Sequence, residues 1–357
     1  MNDDCLKLTA YFGERQRSSG RFVAEAMLDL YGEHDVATSV MLRGIGGFGP
    51  RHRLRTDESL SLSEDPPVTV AAVDTRPKIE SLAEQVVGLT PKGVVTLERA
   101  KLVDDDISGL GQSPDHAIKL TVYVGRQERV SGVPAYQAVC ELLHQRGLAG
   151  AAVFLGVDGT SHGQRQRARF FSRNVNVPMM IIAIGERNHV SEVLPELAGL
   201  LRKPLLTVER VRICKRDGKL LTRPDALPSA DSQGRPLWQK LMVYTSEATT
   251  HDGVPIHRAL VRRLRQTPTA DGATVLRGIW GFRGDQEPHG DKLIQLNRQV
   301  PVTTIIVDAP DSIAHSFDIV DELTSRHGLV TSELVPALVA VDGDMRRGST
   351  HLAQYRY

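Results

Sequence analysis

The chain has 357 residues, with 44 Lys and Arg against 43 Asp and Glu for a net charge of +1; this length admits about two to four domains, and the near-neutral balance gives no global signature of nucleic-acid binding. Cys5, Cys140 and Cys214 are an odd set with no C-x-x-C spacing, which argues against a disulfide framework or a thiolate zinc site and fits a reducing compartment. The start Met1-Asn2-Asp3-Asp4 has no basic or apolar leader character, and no run of about 20 apolar residues occurs, so a cytoplasmic protein that is not membrane-embedded is the expectation.

In chain order, the first element is a strand, Leu8-Thr9-Ala10-Tyr11-Phe12-Gly13-Glu14. A helix follows Gly20-Arg21-Phe22, with Phe22, Val23, Ala26, Met27 and Leu30 at helical spacing. A second strand, Ser39-Val40-Met41-Leu42-Arg43-Gly44, runs into a polar, Gly-rich and basic loop. The loop leads to Pro67-Val68-Thr69-Val70-Ala71-Ala72-Val73-Asp74, which reads as a largely buried strand. A second helix spans about 76–88, and Val95-Thr96-Leu97-Glu98 closes the unit.

The same order then returns twice. Leu120-Thr121-Val122-Tyr123-Val124-Gly125-Arg126 and Leu241-Met242-Val243-Tyr244-Thr245-Ser246-Glu247 repeat the opening strand. Pro134 and Pro255 suit the first turn of the helices that follow, where no backbone N–H is needed. Ala151 to Gly156 and Ala273 to Gly278 repeat the second strand. Pro178 to Gly185 and Pro301 to Asp308 repeat the third, and Leu206-Thr207-Val208-Glu209 and Val330-Thr331-Ser332-Glu333 repeat the last. The Thr-x-Glu alternation in these closing strands reads as structural and half-buried. Asp74 and Asp308 precede Pro-containing helix starts and read as N-terminal signals.

Each unit is strand–helix–strand–strand–helix–strand, the split βαβ or ferredoxin-like (βαββαβ) order. The fold class is α+β, with repeats at 5–103, 117–214 and 238–341, linkers at 104–116 and 215–237, and a polar tail at 342–357 that contains Tyr355 and Tyr357. A four-stranded sheet with both helices on one face leaves the other face bare. Three copies in one chain can cover those faces by packing on each other as an intramolecular pseudo-trimer.

The richest chemistry lies after the second strand. Arg43-Gly44-Ile45-Gly46-Gly47-Phe48-Gly49 has a partner in Arg277-Gly278-Ile279-Trp280-Gly281-Phe282-Arg283-Gly284. Glycines let backbone N–H groups approach an anion, an adjacent arginine pairs with phosphate, and an aromatic ring stacks or packs. A flexible turn joining two strands is the competing reading. The middle copy, Leu155-Gly156-Val157-Asp158-Gly159-Thr160-Ser161, lacks the arginine and the aromatic, so its site differs or is lost. Basic runs Arg51, Arg53, Arg55 and Arg165, Arg167, Arg169 follow in the first two copies. Glu14 and Glu247 follow the first strand in copies one and three, and either orient a ligand or form a surface salt bridge. His52, His162 and His289 sit further along the three loops in poor register, a weak pattern for metal. No H-E-x-x-H, Walker A or G-x-S-x-G occurs, and no nucleophile–base pair recurs, which points away from an enzyme.

L-T-x-Y-x-G-E, then L-R-G-I-x-G-F-G, a strand ending V-D, and V-T-L-E together resemble a domain-of-unknown-function family with a PII-like fold, often encoded near putative fluoride channels of the CrcB type. The first copy matches best, the third follows, and the second is degenerate in the glycine loop. The resemblance implies trimers of ferredoxin-like units that bind adenine nucleotides or related effectors between neighbours and regulate a partner such as a transporter or channel. It places Arg43, Gly44, Gly46, Gly47, Phe48 and Gly49 in one inter-repeat cleft and Arg277, Gly278, Gly281, Phe282 and Gly284 in another, with Glu14 and Glu247 beside them. It requires no catalytic step and no resident cofactor or metal beyond a possible adenine-nucleotide effector. The alternatives are a metal-binding or metal-tolerance protein of the same architecture, and a protein-interaction scaffold.

Overall fold

A computed structural model of the chain describes residues 5–56, 65–103, 117–167, 177–202, 204–290 and 299–355. The expected linker at 104–116, Arg169 and Tyr357 lie outside the described residues. It is a mixed α/β structure of three repeats.

In repeat one the opening strand Cys5–Gly13 lies between the third strand Pro67–Thr75 and the closing strand Lys92–Val103, and the second strand Thr38–Phe48 pairs beyond the third. All these pairings are antiparallel. Repeat two repeats the order with Ala117–Gly125, Gly150–Leu155, Pro178–Gly185 and Leu205–Arg216. Repeat three does so with Trp238–Ser246, Ala273–Arg277, Pro301–Asp308 and Leu329–Val335. The helices are α1 (Val23–Glu33) and α2 (Arg76–Leu89), α3 (Ala135–Gln145) and α4 (Arg187–Leu200), and α5 (Ile256–Arg265) and α6 (Pro310–Leu323). Pro134 and Pro255 stand one residue ahead of α3 and α5, in extended backbone as N-caps. Their fixed φ also suits the short strand that leads into each helix. Asp74 and Asp308 stand one residue before the helix N-caps Thr75 and Ala309 and do not cap the helices; each accepts the next residue's N–H and one from the turn before the second strand, Ala37 and Asp271 respectively.

Strand alternation sorts side chains onto two faces. Leu6, Leu8, Ala10 and Phe12 pack with Met27 and Leu28 of α1 and Leu82 and Val86 of α2. Repeats two and three each have an equivalent core. The opposite faces share one further core to which all three repeats contribute, with Val40, Ala71, Tyr123, Ile182, Tyr244 and Ile305. The strands are therefore buried on both faces, and their long apolar runs reflect this.

The repeats are also hydrogen-bonded edge to edge, beyond face-to-face contact. The glycine segment of each repeat leaves its own sheet and pairs with a neighbour's second strand. Gly44–Phe48 pairs with Ala273–Leu276, Asp158–Ser161 with Thr38–Met41, and Trp280–Arg283 with Gly150–Val153. The closing strands interlock in the other direction. Lys101–Val103 pairs with Leu206–Val208, Arg212–Arg216 with Leu329–Ser332, and Ala337–Asp342 with Lys92–Leu97. Among the described residues, twenty strands thus join in one continuous sheet. The residues expected as a polar tail from 342 include the strand Met345–Ser349, which folds back on Ala337–Asp342. Leu352 and Ala353 beyond it are buried.

The glycines have a steric reason at this interlock. A Cβ at Gly47 would lie 2.3 Å from the Ala273 carbonyl oxygen, one at Gly159 2.1 Å from that of Ser39, and one at Gly281 2.2 Å from that of Ala151. These positions are equivalent in the three repeats, so the middle copy keeps the glycine that the interlock needs. The residue after each glycine enters the neighbour. Phe48 joins the core of repeat three and Phe282 that of repeat two. Thr160 is fully buried, its hydroxyl 3.1 Å from the Val36 carbonyl oxygen and 3.0 Å from Ser39 Oγ. Where Phe48 and Phe282 stand opposite Ala273 and Ala151, Thr160 stands opposite Ser39. A polar pair replaces an apolar one.

At the meeting of the three sheets, Lys7, Lys119 and Lys240 alternate with Glu98, Glu209 and Glu333 in a closed ring. Lys7 pairs with Glu98 at 3.1 Å and Glu209 at 2.7 Å. Lys119 pairs with Glu209 at 3.1 Å and with Glu333. Lys240 pairs with Glu333 at 3.2 Å and Glu98 at 2.5 Å. Every one of the six is buried. This corrects the half-buried reading of the Thr-x-Glu strands: Glu98, Glu209 and Glu333 are buried charges held by a lysine from another repeat. Burial opposes ionisation, yet the lysines hold the Glu98 and Glu333 carboxyls below the ordinary value. Burial likewise opposes the ammonium of Lys7 and Lys240, but the glutamates hold both above the ordinary lysine value. At Lys119 burial prevails and lowers it.

Two outcomes follow for stability. Gly159→Ala must push against a backbone carbonyl and should cost about 1–3 kcal/mol, whereas a Cβ at Gly46 meets nothing nearer than 3.7 Å and Gly46→Ala should cost far less; urea unfolding compares the two. Glu98→Gln leaves Lys7 with Glu209 alone and Lys240 with Glu333 alone, three buried ammonium groups against two carboxylates, and should cost about 3–5 kcal/mol at pH 7. Because the folded-state pKa of Glu98 is depressed, its contribution is present above the unfolded value of 4.5 and is lost as pH falls through the lower folded value. The stability difference between wild type and Glu98→Gln should therefore persist from pH 7 past 4.5 and shrink only below.

Candidate functional site: the inter-repeat clefts

The interlocks leave equivalent clefts at two of the repeat junctions. Between repeats two and three, Ala151, Ile182, Ile184, Tyr244, Phe282 and Leu329 form an apolar slot, with Arg283 and His289 at its side. Between repeats three and one, Tyr11, Phe12, Phe48, Ala273, Ile305 and Val307 form the same slot. The matching positions come from matching strands, so the clefts are products of the pseudo-symmetry.

The cleft between repeats three and one has an added part. Gly49, Arg55 and Lys92 line the slot and also a wider mouth, where Arg17, Arg51, Arg53 and Asp65 join them. The slots hold about 40 and 80 Å³, whereas the mouth holds about 430 Å³, a volume in the range of small-molecule sites. Among the described residues, five basic side chains and one acid line this mouth. Arg55 lies 3.6 Å from Asp65, and Arg51 Nε lies 2.8 Å from Asp342. Such a mouth favours an anion through charge and directed N–H groups.

At the junction of repeats one and two the corresponding space carries polar partners. Thr160 and Ser39 meet there, and Arg165 pairs with Asp158 at 2.8 Å and with Asp29. The sequence difference of the middle copy therefore has a structural counterpart.

Of the residues singled out from sequence, Phe48 and Gly49 line one cleft and Gly281 and Phe282 the other. Gly44, Gly46 and Gly47 lie in the strand paired with repeat three. The N–H of Gly278 donates to the Pro301 carbonyl at 2.7 Å, and that of Gly284 to Ala149 at 2.9 Å. Arg43 pairs with Glu14 at 2.5 Å, and Arg277 with Glu247 at 3.0 Å. These two matching pairs are not among the residues lining either cleft. The run Arg51, Arg53, Arg55 stands out in the sequence as basic without marking a site, and Arg17 and Lys92 lie apart from it in the chain. The alternating R-x-R-x-R spacing was the available signal.

Among the described residues, the one grouping with metal-like spacing is Glu98, Glu209 and Glu333, and each of these carboxylates is already held by two lysines. The loop histidines each have a hydrogen-bond partner: His52 reaches the Arg265 carbonyl of repeat three, His162 bonds Ser161, and His289 the Glu287 and Gln299 carbonyls. No helix among the described residues is long and apolar enough to cross a membrane.

The sequence model of DUF190, described as an uncharacterized ACR, matches residues 5–102, 117–213 and 238–337. The chain belongs to the DUF190 family. A UPF0166 protein of Aquifex aeolicus is 32% identical over 99 residues, which cover 28% of this chain and 90% of that protein. A UPF0166 protein of Methanocaldococcus jannaschii is 28% identical over 85 residues, 23% of this chain and 77% of that one. Each match is about as long as one repeat, so this DUF190 chain carries in triplicate what nearly fills the Aquifex relative. Among solved structures, a flavoenzyme of caerulomycin biosynthesis is similar at a TM-score of 0.19 and 14% identity over 81% of this chain and 55% of that one, too low to carry an argument.

Proposed function

We propose that this DUF190 protein is a PII-like regulatory module. Its three repeats act as ferredoxin-like units of an intramolecular pseudo-trimer that binds a small anionic effector, an adenine nucleotide, in its inter-repeat clefts. It then acts on a partner such as an ion transporter, without a catalytic step. The antiparallel order closing–opening–third–second in every repeat supports the ferredoxin-like reading. The observation that carries the functional reading is the cleft between repeats three and one. An apolar slot edged by Tyr11, Phe12 and Phe48 opens into a mouth with Arg17, Arg51, Arg53, Arg55 and Lys92. This juxtaposition suits a ligand with a flat apolar end and a phosphate end. The slot admits only an edge of the base, and the mouth takes the phosphates.

Effector control requires that the ligand prefer one state of the protein. The second-strand loop of repeat one supplies the mouth and also the strand seated on repeat three, so an anion held there bears on that junction.

The test is calorimetry on the full chain with ATP, ADP, inorganic triphosphate and divalent metals alone. ATP should bind, and Arg53→Ala should weaken it by about 1.5–3 kcal/mol, the range for hydrogen bonds to charged groups. Arg43→Ala, outside the cleft lining, should change little. Binding of metals alone, or equal ATP affinity in wild type and Arg53→Ala, would contradict the reading.

A further inference from the structure

Both clefts meet an aspartate delivered by a hairpin turn from a neighbouring repeat. Asp342 ends the strand Ala337–Asp342, opposite Lys92 of repeat one. Its carboxylate lies 2.8 Å from Arg51 Nε and 3.6 Å from Lys92 Nζ, two of the cations that line the basic mouth. The turn is fixed: Gly343 has φ +64°, and its N–H donates to the Pro91 carbonyl at 2.9 Å. Asp217 stands in the turn after the closing strand of repeat two, between the paired residues Arg216 and Lys219 and before Gly218 with φ +80°. Its carboxylate lies 3.6 Å from Nε of Arg283, which lines the cleft between repeats two and three. Two aspartates, one the last residue of a strand and one within a turn, each followed by glycine, each reach an arginine of a different cleft.

Neither pair is needed to satisfy a fully buried charge. In each pair one partner is exposed, Arg51 at 57% and Asp217 at 59%, while Asp342 and Arg283 are 13% and 20% exposed, so water reaches each contact from one side and screens it. A carboxylate that neutralises cleft cations weakly has the character of a stand-in for a stronger anion.

We propose that Asp342 and Asp217 are internal counter-anions that a phosphate-chain ligand displaces from the cleft arginines, so that cleft occupancy is read out at the hairpins that lock the closing strands together. The proposal rests on the anionic-effector reading above and adds its regulation. A ligand bearing several phosphates brings more charge to Arg51 and Lys92 than one carboxylate does, and wins the exchange. Released, Asp342 no longer ties its hairpin to the mouth, although the strand Ala337–Asp342 keeps its ladder to repeat one. The aspartates thus set the affinity threshold and couple it to the ring.

The experiment measures inorganic triphosphate binding by calorimetry, at fixed salt, to the full chain and to Asp342→Asn, Asp217→Asn and Asp344→Asn. Asp344 lies in the same turn as Asp342 and controls for net charge. Removing an internal competitor should tighten binding by about 3- to 5-fold, the equivalent of one solvent-screened ion pair. Asp342→Asn should do so at one site and Asp217→Asn at the other, while Asp344→Asn changes affinity by less than about twofold. Binding that appears only in Asp342→Asn supports the proposal equally. If wild type binds triphosphate and Asp342→Asn binds it no more tightly, or if Asp344→Asn tightens it as much, the counter-anion role is overturned and the effector reading stands. If neither wild type nor any variant binds, the effector reading falls and takes the proposal with it.

Discussion

The alternating ring of Lys7, Glu209, Lys119, Glu333, Lys240 and Glu98 is the constraint on which the rest of this structure depends. No repeat can satisfy it alone. Each contributes one lysine and one glutamate that pair with each other, and each of these charges takes its second partner from a neighbouring repeat. Burying an unpaired charge is among the costliest acts in folding. The ring is therefore an assembly condition more than a source of net stability: it tolerates the three-way arrangement and penalises slipped or partial ones. Its charges balance, which lets a fully buried ionic core exist at all.

Two strand exchanges enforce the same arrangement from the rim. Glycine segments run one way around the ring and closing strands the other, so every repeat gives and receives a strand on both sides. Chain connectivity supplies most of this, and the last link comes from residues after the third repeat: Ala337–Asp342 fills the place beside the closing strand of repeat one. Fusion also lets each junction drift. Phe48 and Phe282 enter apolar cores, whereas Thr160 meets Ser39 and Arg165 meets Asp158 and Asp29. Of the junctions, the one between repeats three and one has gathered the basic mouth.

Much of this architecture was legible in the sequence, because it is written three times. The order of elements, their periodicity and their apolar faces follow from residues such as Leu8, Met27, Val70 and Leu97, whose local patterns agree with the fold. What was not legible depended on which repeat meets which. Lys7, Lys119 and Lys240 each stand one residue before the recurring Leu, at a position where a strand end could face solvent; only the assembly reveals that they meet glutamates from other repeats. The glycine motif was visible, but its chemistry was ambiguous. Gly47, Gly159 and Gly281 admit a neighbour's carbonyl oxygen, and an anion would ask for the same small residues. The basic mouth was hidden for a similar reason, since Arg17 and Lys92 are distant in sequence from Arg51, Arg53 and Arg55 and meet only after the sheet forms.

If the ring and the two exchanges make one cooperative body of the three repeats, native-state hydrogen exchange under mild denaturant should show it most directly. Amides of the opening strands Cys5–Gly13, Ala117–Gly125 and Trp238–Ser246 should open together, with one shared free energy and one shared denaturant dependence. Three separate opening free energies, each with a denaturant dependence about one-third of the whole, would mean that the repeats unfold independently and that the ring does not bind them into a unit.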